Sequence, residues 1–149
     1  MSTKFATGHV GINVTDLDRS VPFYSRIFGF ETLAEGTAKD RRWTFLGQGS
    51  DLVLTLWQQS NATFSATTAG LHHLSFQVDS LADVTAAESA LKELGAEFAH
   101  EGVVAHSEGA SSGGIFFNDP DGIRLEIFTA SGAEDTPAPD GQTPTCGFF

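Results

Sequence analysis

The chain has 149 residues, 40% of them hydrophobic and 18% charged, with 19 Asp and Glu against 8 Lys and Arg and a formal charge of −11. That is enough chain for a compact fold with a real core, and the acidic balance argues against nucleic-acid binding, which wants a basic surface. No apolar run is long enough to span a bilayer, no basic region followed by an apolar stretch opens the chain, and the single cysteine, Cys146, cannot close an intrachain disulfide, so a cytoplasmic protein with neither a nucleic-acid nor a membrane partner is expected.

The first element is "HVGINV", residues 9–14. Successive strand side chains point to opposite faces, so Val10, Ile12 and Val14 form an apolar face while His9, Gly11 and Asn13 form the other. A helix follows, with Val21, Tyr24, Ile27 and Phe28 at helical spacing and Pro22 tolerated in its opening turn. Asp16 or Asp18 suits its start, and Gly29 suits its end. Three strand-like runs come next, near 30–35, 41–46 and 52–58. In the last, Leu52, Leu54 and Leu56 turn toward the helix, leaving Val53, Thr55 and Trp57 on the second face.

Residues 59–69, "QSNATFSATTA", read as a linker, and then the pattern repeats. In "LHHLSFQV", Leu74, Phe76 and Val78 are apolar, with His72 on their side as a structural histidine. His73, Ser75 and Gln77 face the other way, so His73 is the repeat partner of His9. The second helix carries Leu81, Val84, Ala87, Leu91 and Leu94, with Asp83 near its start and Gly95 at its end. Strands are expected near 97–106, 114–118 and 123–129. The first of these would put His100 and His106 on one face, as surface histidines or as an acid or base. In the last, Ile123, Leu125 and Ile127 face the core, while Arg124, Glu126 and Phe128 face away. The loop "SEGASSGG" is either a lid or a connection. The tail, 131–149, has the composition of a flexible segment, with Phe148 and Phe149 as its natural anchors.

The chain thus reads as α+β: a βαβββ module over 4–58, the 59–69 linker, a second βαβββ module over 70–130, and the tail. His9, His73 and Glu126, with Thr55 at the repeat position of Glu126, all point away from the helix-packed faces. Two imidazoles and one carboxylate suit one divalent transition ion with open positions for substrate, whether iron, manganese, zinc, nickel or cobalt. Asn13 and Gln77 either hydrogen-bond a ligand or plug the hollow by bonding each other. Trp57 and Phe128, with Trp43, are either an aromatic wall for a planar substrate or ordinary core.

Beyond this reading, "HVGINVTDLDRSVPFYSRIFGFE", "LHHLSFQV" and "FFNDPDGIRLEIF" resemble the vicinal oxygen chelate superfamily, which includes glyoxalase I, fosfomycin-modifying enzymes, extradiol dioxygenases and bleomycin-resistance proteins. The resemblance implies paired modules forming an open, cup-shaped mixed β-sheet with helices on its outer face, commonly as a homodimer. It also implies His9, His73 and Glu126 as metal ligands. Glyoxalase I adds a glutamate where this chain has Leu54 and Thr55, and extradiol dioxygenases place a tyrosine where this chain has Phe116. The function implied is a metal-dependent lyase, isomerase or dioxygenase that chelates the oxygens of a small molecule, its catalytic residues unassigned. The alternative is a binding protein that sequesters an antibiotic or metabolite.

Overall fold

In the computed structural model, residues 1–148 are described. They divide into two compact units, 1–63 and 64–148, each built as a mixed four-stranded sheet carrying one long helix. The protein is therefore α+β, with two modules of βαβββ type.

In the first unit β1 (Val10–Val14) is followed by α1 (Leu17–Phe28), then β2 (Glu31–Ala38), β3 (Arg41–Gln48) and β4 (Asp51–Gln58). The sheet order is β1-β4-β3-β2, with β1 parallel to β4 and the other pairs antiparallel. Helix α1 starts where the Asp16 carboxylate accepts the Asp18 N–H at 2.9 Å, and it stops at Gly29, whose φ of 69° favours a residue without a β-carbon. Its buried stripe is Leu17, Ser20, Phe23 and Tyr24, whereas Val21, Ile27 and Phe28 are only half-buried. The sequence stripe is thus rotated, because Leu17 begins the helix and sets the seam. The helix packs on β3 and β4, and Ile12, Val14, Leu46, Leu54 and Leu56 of the sheet are buried. On the same side, Arg42 of β3 forms a 2.9 Å ion pair with Asp18 of α1.

In the second unit β5 (Leu74–Val78) precedes α2 (Leu81–Glu93), β6 (Val104–Ala105), β7 (Gly113–Asn118) and β8 (Arg124–Thr129). The order β5-β8-β7-β6, with β5 parallel to β8, repeats that of the first sheet. Ser80 caps α2 by accepting the Asp83 N–H and donating to its carboxylate at 2.7 Å. Gly95 (φ 70°) ends the helix, its N–H bonding Lys92 and that of Ala96 bonding Leu91. Val84 and Leu91 are buried and Leu94 is exposed.

Two sequence expectations are corrected in this unit. The strand expected near 97–106 shrinks to Val104–Ala105 plus one isolated bridge between Phe98 and Phe117. A turn with Gly102 at φ 70° breaks the run, so His100 and His106 do not share a strand face. The tail, expected as flexible from its composition, is held against β6. Ala105 N–H bonds the Pro137 carbonyl at 2.8 Å, Thr145 N–H bonds the His106 carbonyl at 2.8 Å, and the Thr145 hydroxyl donates to the Ala105 carbonyl at 2.7 Å. Thr145, fully buried, is the anchor; Phe148 is 60% exposed, and Phe149 lies outside the described residues.

Candidate active site

The polar cluster of the second unit is built on β8. A tight turn joins β7 to β8, and Asp119 organises it: its Oδ1 accepts the N–H of Asp121 at 2.8 Å and of Ile123 at 2.9 Å, while its own N–H bonds the Ile123 carbonyl. Asp119 is 5% exposed, and backbone N–H groups are the partners a buried carboxylate requires. The turn fixes the register Asn118↔Arg124 and Phe116↔Glu126, which places Glu126 in mid-sheet between Phe116 and Ser75.

Glu126 is 3% exposed. Its Oε1 accepts the Ser75 hydroxyl at 2.6 Å and lies 3.9 Å from His73 Nε2, and its Oε2 lies 2.5 Å from His106 Nε2. The other ring nitrogen of His106 is 2.8 Å from the Ser112 hydroxyl. The 107–112 turn returns the chain so that His106 N–H also bonds the Ser112 carbonyl at 3.0 Å, which locks the imidazole in place. "SEGASSGG" supplies Ser112 and then the start of β7. At Gly114 a β-carbon would collide with the backbone carbonyl of Ile127 across the sheet. The Phe128 ring packs 5.2 Å from His106.

His73 lies one residue before β5, in a bend pinned by the Arg124 Nε–H donating to the His72 carbonyl at 2.9 Å. Strand alternation therefore does not reach His72, and its expected place on the apolar face is corrected: His72 is exposed, with Nδ1 2.8 Å from His73 Nδ1. One of these nitrogens donates and the other accepts. When His73 donates through Nδ1, it is Nε2, on the Glu126 side, that carries the ring's lone pair. Burial pushes the His73 pKa below the ordinary imidazole value against the pull of the Glu126 charge, with His72, Arg124 and His106 lowering it further. The ring is thus neutral at neutral pH, the form in which imidazole ligates metals. Burial, then the charge of Glu126, pushes the Cys146 thiol up, which keeps it protonated and a poor nucleophile.

The other sequence candidates are distributed between the units. His9 is exposed immediately before β1, as His73 precedes β5. Thr55 is 2% exposed, its hydroxyl accepting the Trp57 Nε1–H at 2.9 Å. Asn13 Oδ1 accepts the Gln59 N–H at 3.0 Å, and Gln77 is exposed. The sequence singles out neither Ser75 nor Ser112, and it offers His106 as a surface group or as an acid or base. The alternation that pairs Ser75 with His73 was the available signal for Ser75.

For a divalent ion the fit is a matter of donor chemistry. Two ligands about 2.1 Å from one ion stand roughly 3–4 Å apart; the 3.9 Å between His73 Nε2 and Glu126 Oε1 is compatible with that spacing, and His106 holds the other carboxylate oxygen. Among the described residues no three His, Cys, Asp or Glu side chains are grouped at ion-binding distances, so the fit is that of a ligand pair.

Residues 6–127 match the Glyoxalase/Bleomycin resistance protein/Dioxygenase superfamily, and the chain belongs to that family. It is 30% identical over 139 residues to the trivalent organoarsenical cleaving enzyme of Bacillus sp. (strain MD1), covering 93% of this chain and 80% of that protein. It is also 24% identical to the catechol-2,3-dioxygenase of Bacillus subtilis (strain 168), covering 81% of this chain but 40% of that protein. Among solved structures, a glyoxylase/bleomycin resistance protein/dioxygenase domain from Frankia sp. EAN1pec matches with a TM-score of 0.73 at 28% identity, covering 85% of this chain and 98% of that one. A single-residue mutant of the fosfomycin resistance protein FosX of Listeria monocytogenes, complexed with Mn(II) and 1S,2S-dihydroxypropylphosphonic acid, shares the fold with a TM-score of 0.63 at 22% identity, covering 85% of this chain and 93% of that one.

Proposed function

We propose that the protein is a divalent-metal-dependent enzyme acting on a small oxygen-bearing molecule, with His73 and Glu126 as metal ligands and His9, the repeat equivalent of His73, as the ligand the family resemblance adds. The observation that carries this reading is the 3%-exposed Glu126 carboxylate, with one oxygen 3.9 Å from His73 Nε2 and the other held by His106. The relatives that are enzymes, and the Mn(II) held by FosX, support the same direction.

The bound ion would supply Lewis acidity and a point of chelation for substrate oxygens. The chain's own residues prepare that point. Ser75 and His106 orient the carboxylate, Ser112 holds His106, and His72 shares a hydrogen bond with Nδ1 of His73. Phe128 lends the cluster an apolar flank. Thr55, Trp57, Asn13 and Gln77 are proposed substrate-side residues, and a homodimer is proposed as the assembly. Sequestration of an antibiotic or metabolite without turnover is the second reading, favoured by a tryptophan-lined hollow in the first unit.

The two separate in one experiment. The purified protein, loaded in turn with Fe(II), Mn(II), Zn(II), Ni(II) or Co(II), is incubated with catechol, a trivalent organoarsenical and bleomycin, and the mixtures are analysed by mass spectrometry. The enzyme reading expects a metal-dependent product that disappears in Glu126→Ala. Recovery of every compound unchanged, with tight binding of one to metal-free protein, would establish sequestration instead.

A further inference from the structure

The first unit carries a second concentration of chemistry, on the sheet face opposite α1. Arg41, Trp43 and Phe45 alternate onto that face of β3, since Arg42 between them reaches Asp18 on the helix side. Trp57 of β4 stands directly opposite Trp43 in the ladder, and Thr55 stands opposite Phe45. The three rings form a cluster: Trp43–Phe45 centroids are 4.7 Å apart, Phe45–Trp57 5.7 Å and Trp43–Trp57 6.3 Å. Gly36, the cross-strand partner of Trp43, makes the arrangement possible, because a β-carbon there would meet the indole at 2.8 Å. The indole of Trp57 is fixed by its hydrogen bond to Thr55.

Above these rings opens a hollow of about 470 Å³ lined by Ala38, Lys39, Arg41, Trp43, Trp57 and Gln59, a volume within the range of small-molecule sites. Its rim is cationic in a chain whose net charge is −11. Lys39 and Asp40 take φ of 52° and 62° and form the tip of the β2–β3 hairpin. Lys39 and Arg41 both line the hollow beyond that tip. Neither makes an ion pair among the described residues, and Arg41 is steadied only by a long 3.4 Å contact to Gln59 Oε1. Rigid aromatic floor and unneutralised cations together select for a flat ring that carries negative charge.

We propose that this hollow is a binding site for a planar aromatic anion, its ring against Trp43 and Trp57 and its carboxylate or equivalent oxyanion on Lys39 and Arg41. The inference rests on the sequestration reading, to whose hollow it gives a ligand class and with which it shares Trp57; because the site lies within the first unit and uses neither His73 nor Glu126, its failure in chelator leaves the metal reading untouched.

The test uses the full chain, kept in chelator so that no metal contributes. Titration calorimetry compares 2-naphthoate with its neutral analogue 2-naphthamide and with the non-aromatic cyclohexanecarboxylate. Naphthoate is expected to bind at one site per chain, and each of the other two about tenfold more weakly. The double variant Lys39→Gln/Arg41→Gln, which changes only exposed side chains, is expected to bind naphthoate about tenfold more weakly and to lose its preference over the amide. Trp43→Leu is expected to weaken both aromatic probes. Equal affinity for naphthoate and naphthamide in the wild type, undiminished naphthoate binding by the double variant, or no saturable binding would each overturn the proposal.

Discussion

Glu126 and His106 set the chemistry at the residue scale. A carboxylate 3% exposed in mid-sheet is tolerable only because Ser75 and His106 meet its two oxygens. Replacing His106 by alanine strips one of those partners and leaves Oε2 buried beside Phe116 and Phe128. A loss of about 2 kcal/mol in unfolding free energy is expected from urea titration of the metal-free protein. His106→Gln, which retains a donor of similar reach, is expected to recover part of that loss. A His106→Ala protein as stable as the wild type would mean that solvent, not His106, satisfies the carboxylate.

At the element scale the site depends on the turn between β7 and β8. Asp119 accepts two backbone N–H groups and so sets where β8 begins, and the alternation of β8 then points Glu126 to the polar face and Leu125 and Ile127 to the core. A slip of one residue would exchange the two faces. Asp119→Ala is therefore expected to cost about 2 kcal/mol and Asp119→Asn clearly less, because the amide oxygen still accepts; differential scanning calorimetry distinguishes them. Equal melting temperatures for wild type and Asp119→Ala would show that the turn holds without its cap. The sequence run "NDPDGIRLEI" carried this element visibly, since turn residues and strand alternation are both local signals. The strand near 97–106 was not legible in the same way. Its residues have strand-like composition, but the Gly102 turn and the return through 107–112 decide its path, and they bring His106 to Glu126 by tertiary contacts that no periodicity encodes. His72 departs from the strand pattern for a related reason: the bend before β5 breaks the alternation.

Over the whole molecule, the repeat was the most legible feature. The strand orders β1-β4-β3-β2 and β5-β8-β7-β6 are the same, and the ladder partners Gly11↔Thr55 and Ser75↔Glu126 occupy equivalent positions. That equivalence, read from alternating faces, was enough to pair Thr55 with Glu126 and to bring His73 forward over His72. The tail was not legible, because its attachment runs through backbone groups of Ala105 and His106 and the one buried hydroxyl of Thr145, which composition does not report. None of the helices among the described residues is long and apolar enough to cross a membrane. The two sheets carry different chemistry on their polar faces: a carboxylate–imidazole cluster in the second unit, an aromatic floor with a cationic rim in the first.

The most direct measurement of the proposed centre is elemental analysis of protein purified without a histidine tag, with the wild type beside His73→Ala and Glu126→Ala. The expected result is close to one divalent transition ion per chain in the wild type and loss of most of it in both variants. Metal content unchanged by both substitutions would contradict the assignment of His73 and Glu126 as ligands.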